Sequence, residues 1–366
     1  MKYLSEYRNS EIVKDLLGKI EIELKGQWNI MEICGGQTHS LVKNGILEML
    51  PEGITMIHGP GCPVCVTPVE MIDKAIELSL IKGITICSFG DMLRVPGSEM
   101  SLLKAKAMGA DIRIVYSPLE AVNLARSNPQ LEIVFFAVGF ETTAPPNGLS
   151  VIMAKKLGLF NYSLLVSHVL VPPAMEAILS DEENKIDGFL AAGHVCTVMG
   201  YQDYYPIAEK YKIPIIVTGF EPIDLLNGIL ACVKQLENGR YDIQNEYSRV
   251  VDKSGNPQAL KVVNEVFEIA DRKWRGIGTI PKSGYELNEK HKKFDANLKY
   301  ELKAKSVEES LACIAGMVLK GLKKPHQCPE FGKSCTPMNP LGAPMVSSEG
   351  ACAAYYQFSQ YHEAIS

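Results

Sequence analysis

Residues 84–109 read ITICSFGDMLRVPGSEMSLLKAKAMG, and residues 133–158 read IVFFAVGFETTAPPNGLSVIMAKKLG. Each begins with a β-branched apolar run. Each then passes a glycine, a phenylalanine and an acid, and ends in an Ala/Lys-rich stretch closed by glycine. That is a strand, a tight loop and a helix. A second pair repeats the pattern. Ile54-Thr55-Met56-Ile57, leading to Thr67-Pro68-Val69-Glu70, is similar to Ile213-Pro214-Ile215-Ile216, leading to Glu221-Pro222-Ile223-Asp224. Recurrence on this scale predicts two like α/β units facing a cleft.

Working outward, apolar runs occupy residues 30–33, 54–57, 84–87, 112–116, 133–138, 163–168, 187–191 and 213–217. Most are separated by room for a helix, which is the rhythm of parallel sheets. Eight such pairs also suit a closed (β/α)8 barrel. The internal repeat favours two smaller sheets instead. Thr67-Pro68-Val69-Glu70 and Ser117-Pro118-Leu119-Glu120 each place a hydroxyl cap, a proline and an acid where a helix starts, and Glu221-Pro222-Ile223-Asp224 is a looser version. These starts follow strand ends, where open parallel sheets bind ligands. After residue 238 the chain turns polar, with Gly276 and Gly278 marking turns and a capping box at Ser306. Residues 325–350 hold five prolines and three glycines. The expected organisation is α/β: a first domain over 1–125, a second over 126–238, and a mostly helical or irregular third over 239–366.

Composition narrows the classes. Of 366 residues, 46% are hydrophobic, too many for a disordered chain. Lys plus Arg is 37 against 42 Asp plus Glu, a net charge of −5, which argues against a nucleic-acid-binding surface. No apolar run approaches the roughly 20 residues of a membrane span. The start, Met1-Lys2-Tyr3-Leu4-Ser5-Glu6, lacks a signal-peptide pattern, so a cytoplasmic location is expected. In that reducing setting ten cysteines point to metal or redox chemistry, or to small core residues, rather than structural disulfides.

Three cysteine groups stand out. Gly59-Pro60-Gly61-Cys62-Pro63-Val64-Cys65 puts a Cys-x-x-Cys pair just before a helix start. There a disulfide can form reversibly and a thiolate is favoured. It also reads as half a zinc site or as two buried small residues. Cys34, in Cys34-Gly35-Gly36-Gln37-Thr38-His39, follows a strand and leads into a turn. It reads as nucleophile, metal ligand or core residue, and a doubly wound sheet would bring it beside the Cys62/Cys65 pair. Cys313, Cys328, Cys335 and Cys352 can hold a [4Fe–4S] cluster, with a four-cysteine zinc site as the competitor. His194, after another strand, is a candidate acid/base or ligand facing the Cys-x-x-Cys pair. Glu349 is a candidate proton donor near Cys352. Phe140-Glu141-Thr142-Thr143 and Phe89-Gly90-Asp91 sit at strand ends and can hydrogen-bond a ligand. Cys87, Cys196 and Cys232 read as packing residues. On these residues alone, a cluster-linked disulfide oxidoreductase acting on a protein and a zinc-stapled nucleotide-binding protein both remain open.

Taken together, Ile33–His39, Gly59–Cys65, Phe140–Thr143, Gly193-His194-Val195 and the four-cysteine spacing make the chain similar to the HypD family of [NiFe]-hydrogenase maturation factors. The resemblance implies two α/β domains plus a [4Fe–4S] domain. It implies a scaffold on which the Fe(CN)2CO moiety is built before transfer to the hydrogenase large subunit. HypC is the implied chaperone partner, and HypE with HypF the implied cyanide source. By motif, Cys313, Cys328, Cys335 and Cys352 become cluster ligands. Cys62 and Cys65 become the redox pair, and Cys34 a candidate iron ligand or thiol, supported by His194 and Glu349.

Overall fold

A computed structural model describes residues 8–303 and 312–363. Eleven strands form two sheets: β1 (Trp28–Glu32), β2 (Ile54–His58), β3 (Ile84–Ser88), β4 (Ile112–Ile114), β5 (Glu132–Gly139), β6 (Tyr162–Val169), β7 (Gly188–Ala192), β8 (Ile215–Thr218), β9 (Ile243–Asn245), β10 (Phe267–Trp274) and β11 (Gly278–Leu287). The first sheet has the order β2-β1-β7-β8-β9 and is parallel throughout. The second has the order β10-β11-β6-β5-β3-β4. Its β4, β3, β5 and β6 are parallel, and the hairpin β10–β11 adds to β6 antiparallel.

All eight expected strands are present, and two parallel-dominated sheets replace the barrel alternative. The expected divisions at 125 and 238 do not follow the sheets. The first sheet takes strands from 28–58 and 188–245, the second from 84–169 and 267–287. The repeats are also corrected. The strands of 84–109 and 133–158 are β3 and β5, neighbours within one sheet, while 54–57 and 213–217 both fall in the other. Parallel neighbours need a crossover element between them, so a local strand–loop–helix repeat arises inside a single sheet.

Side-chain alternation explains the core. In β1, Ile30 packs against Leu16 and Ile20 of the helix Ser10–Glu23, while Met31 faces the cluster that holds Cys62, Cys65, Phe140 and Trp274. In β5, Phe135 and Phe136 likewise enter opposite clusters. The β10–β11 hairpin was not expected. Its strands are half polar, with residues such as Glu268, Arg272 and Lys273, because one face meets solvent. Gly276 and Gly278 do turn the chain, at φ 75° and 115°. Ser117 caps its helix as read, and Glu221 with Asp224 forms the full capping box. Thr67 instead closes the short helix Pro63–Val66, and Pro68 caps Val69–Ser79. The expected Ser306 helix lies outside the described residues. Cys313 precedes the short helix Ala315–Leu319, and Cys352 lies at the start of Ala351–Glu363. Among the described residues no helix is long and apolar enough to cross a membrane.

Candidate functional site

In the first sheet the winding direction reverses between β1 and β7, since β2 lies to one side of β1 and β8 and β9 lie beyond β7. A crevice opens at the carboxyl ends of the strands at such a switch point. Cys34 caps the helix Gly35–Lys43 at the end of β1, and His194 opens the helix Gly193–Met199 at the end of β7. The neighbouring β2 delivers Cys62, which caps the helix Pro63–Val66. The two loops touch: the Gly35 N–H donates to the Gly61 carbonyl at 2.9 Å. Gly61 is required here, because a Cβ on it would lie 2.2 Å from the Cys34 nitrogen.

Cys62 and Cys65 are disulfide-bonded, with Cα atoms 5.2 Å apart, and both are buried. The Cys65 N–H donates to the Cys62 sulfur at 3.2 Å. Cys34 is a free, half-buried thiol. Burial first, then the nearby Glu349 carboxylate and, less strongly, Glu32, push it up to about 12. Its ground state is therefore the protonated thiol. Glu349 reaches this place from the C-terminal segment: a Cβ on Gly35 would meet the Glu349 carbonyl at 2.5 Å. Burial and the charge of Asp91, at the end of β3, raise Glu349 in turn. Asp91 itself pairs with Arg94 at 3.0 Å.

His194 is exposed and stacks on Phe220, with ring centroids 3.9 Å apart. The Phe220 ring lies 3.0 Å from a Cβ built on Gly36, and the Cys34 sulfur lies 3.8 Å from that same point. His194 thus neighbours the Cys34 loop through Phe220. Partial burial lowers its pKa.

Beneath Cys34 runs a buried polar chain. Glu32 Oε2 accepts the Cys34 N–H at 3.2 Å. Its Oε1 accepts from Thr38 Oγ1 and lies 2.7 Å from His58 Nδ1. His58 Nε2 meets the Tyr355 hydroxyl at 2.9 Å, on the helix Ala351–Glu363 that carries Cys352. Glu32 and His58 face each other across β1 and β2 in register, and both are fully or nearly fully buried. With Nδ1 donating to Glu32, Nε2 accepts the tyrosine proton, so every member is satisfied. Gln37 ties the helix Gly35–Lys43 across the switch point, donating to the Ala191 carbonyl at 3.1 Å. The sequence reading assigned no role to Glu32, His58, Tyr355, Gln37 or Phe220. Its available signal was a titratable residue closing each of the largely apolar strands β1 and β2.

The remaining four cysteines are free thiols in the C-terminal segment. Burial raises Cys313 and Cys352, and each is raised further by the other thiols of the group. Cys313 and Cys352 therefore each lie within electrostatic reach of Cys328 and Cys335. A Cβ on Gly342 would come 2.3 Å from the Cys313 sulfur, and Cys335 sulfur accepts the Leu341 N–H at 3.4 Å. An all-sulfur donor set with N–H···S support fits an iron–sulfur cube, in which each iron takes one thiolate. Among the described residues no three His, Cys, Asp or Glu side chains converge so as to hold a single metal ion. The turn Ala343–Met345, directly after Gly342, packs on the helix Pro63–Val66 that contains Cys65. Cys87, Cys196 and Cys232 are buried and free, as expected of packing residues.

Comparison with known proteins gives concordant results. Residues 11–359 match the family model described as "HypD: Hydrogenase formation hypA family". A hydrogenase maturation factor HypD of Azotobacter vinelandii is 45% identical, covering 100% of this chain and 99% of its own length. Its counterpart in Cupriavidus necator is 43% identical over 99% of this chain and 98% of its own. That of Escherichia coli K12 is 42% identical, covering 98% and 99% respectively.

Proposed function

The chain belongs to the HypD family of hydrogenase maturation factors, and from that premise we propose that it is the scaffold on which an iron atom bearing cyanide and carbon monoxide is assembled. One observation carries the reading. The segments that carry Cys34, the Cys62–Cys65 pair and Glu349 adjoin at the carboxyl end of the first sheet, where the Gly35 N–H bonds the Gly61 carbonyl and Glu349 lies against Gly35. Low-spin iron with strong-field ligands prefers soft donors, and thiolates are the soft donors present.

The high pKa of Cys34 suits this task. A thiol protonated at rest does not react with stray electrophiles, and it becomes a thiolate only when a metal cation displaces its proton. Glu349, raised by burial, stands beside it to take that proton. Phe220 and His194 wall the other side. Cys313, Cys328, Cys335 and Cys352 would hold a [4Fe–4S] cluster, which when bound supplies electrons one at a time. Cys62 and Cys65 then accept two electrons and two protons to become two thiols next to the substrate iron. The packing of the turn Ala343–Met345 on the helix of Cys65 supports a short connection between the two sulfur groups. HypC as chaperone, HypE and HypF as cyanide source, the hydrogenase large subunit as recipient and a cytoplasmic location follow from the resemblance.

The test is infrared spectroscopy of the anaerobically purified complex with HypC. Cyanide and CO stretching bands in the wild type, and their loss in Cys34→Ala, support the assignment. Bands that persist unshifted in Cys34→Ala overturn Cys34 as a ligand. Complete absence of bands from the wild type favours the disulfide-oxidoreductase reading.

A further inference from the structure

At the carboxyl end of the second sheet lies a cavity of about 660 Å³ that the thiol crevice does not use. Met199 lines it. That residue ends the helix whose first turn holds His194, so the two sites sit about 8 Å apart along the helix axis at 1.5 Å per residue. Pro172 and Pro206 give it apolar walls, and Tyr285 an aromatic one.

Glu141, from the Phe140–Thr143 motif, is 3% exposed and lines this cavity. Its Oε1 accepts the Val171 N–H at 2.8 Å, at the start of the helix Val171–Leu179. Its Oε2 is buried and has no partner. A bare buried carboxylate oxygen is costly and calls for a donor from a ligand. The exposed Asp203 lies on the same wall. Glu176 lies there too, but Lys210 already pairs with it at 3.1 Å. The lining mixes these acids with apolar Pro172, Pro206 and Leu260 and with exposed Lys282, so a charged head can be held by Glu141 while an apolar stem lies on the prolines.

We propose that this cavity binds an organic cation, a guanidinium or primary ammonium on an aliphatic stem, with Glu141 Oε2 as its anchor and Asp203 at its mouth. This proposal is independent of the thiol chemistry. Burial pushes Glu141 up to about 7, so a cation binds better as the pH rises through that value and the carboxylate forms. The other groups facing Glu141 are Asp203, Glu176, Lys282 and Tyr285 on the walls, with Cys196 and Tyr204 behind. Burial raises both Cys196 and Tyr204, which therefore stay neutral across this range.

The experiment is calorimetric titration of the full-length protein with n-butylguanidinium, which keeps its charge throughout. A carboxyl titrating near 7 is about a tenth ionised at pH 6 and about nine tenths at pH 8, so affinity should rise about tenfold between them. Glu141→Gln should lose about tenfold or more at pH 8 and abolish the pH dependence. Asp203→Asn, at an exposed position that leaves the fold intact, should weaken binding about threefold. L-arginine and N-acetyl-arginine methylamide separate the two sources of such a cation. Preference for the first supports a free metabolite, and preference for the second a side chain of a partner protein. No saturable binding of any of the three probes, or binding unaltered in both variants, overturns the proposal.

Discussion

Glu349→Gln should make Cys34 more reactive. The Cys34 thiol is pushed up from 9.0 to about 12, and after burial the largest cause is the Glu349 carboxylate. Removing one like charge at a partly solvated site lowers such a thiol by on the order of one unit. Below the pKa this gives about tenfold more thiolate. A less basic thiolate is also a weaker nucleophile, with a Brønsted slope of about 0.4–0.5, which takes back about threefold. The net expectation is alkylation about three- to fourfold faster at pH 8–9. The assay is iodoacetamide labelling, with mass spectrometry following the Cys34 peptide. Glu349 is partly desolvated but still open to solvent, so raising the salt concentration should narrow the difference between wild type and variant. An unchanged or slower rate in Glu349→Gln at low salt would refute the claim that the C-terminal segment shapes the electrostatics of Cys34.

Three further outcomes are expected. Gly61→Ala forces a Cβ to within 2.2 Å of the Cys34 nitrogen and should cost about 2 kcal/mol or more, read from urea unfolding. Tyr355→Phe leaves His58 Nε2 without its partner, at a cost of about 1–3 kcal/mol, and should speed proteolysis of the helix that carries Cys352. His168 is fully buried, and burial lowers its pKa from 6.5 to about 4. The unfolded chain therefore binds the extra proton first as acid is added. Stability is intact above pH 6.5 and declines towards pH 4, by up to roughly 3 kcal/mol from this residue. The difference in urea midpoint between the wild type and His168→Gln, which separates this residue from buried carboxyls such as Glu141 that titrate in the opposite sense, should move against the wild type from pH 7 to pH 4, and a constant difference would contradict the burial of a neutral ring.

Eight of the nine parallel strands were legible as short apolar runs, fully buried in β3, β7 and β8 and nearly so in β5 and β6, whereas the three-residue, half-polar β9 was not. The β10–β11 hairpin was not, since Glu268, Arg272 and Lys273 give it the polarity of a surface segment. Domain divisions were illegible for a topological reason. Strand order within a sheet is a long-range property, and β1 pairs with β7 across more than a hundred residues. The thiols of the site were legible from their Gly/Pro settings, and the adjacency of Cys34 to Cys62 followed from neighbouring strand ends. The Glu32–His58–Tyr355 chain was not, because its members lie in three distant segments and meet only through strand register. His194 was found as a strand-end residue, but its stacking on Phe220 depends on a side-chain packing that the pattern does not encode.

If the two sulfur groups are connected, a [4Fe–4S] cluster bound by the C-terminal cysteines would pass electrons to the Cys62–Cys65 disulfide. The most direct measurement is anaerobic titration with two electron equivalents of dithionite after iron–sulfur reconstitution, followed by alkylation and mass spectrometry of the Cys62–Cys65 peptide. Both sulfurs should become alkylated in the wild type and remain a disulfide in Cys352→Ser at the same dose. Equal reduction in the two proteins, or none in the wild type, would contradict it.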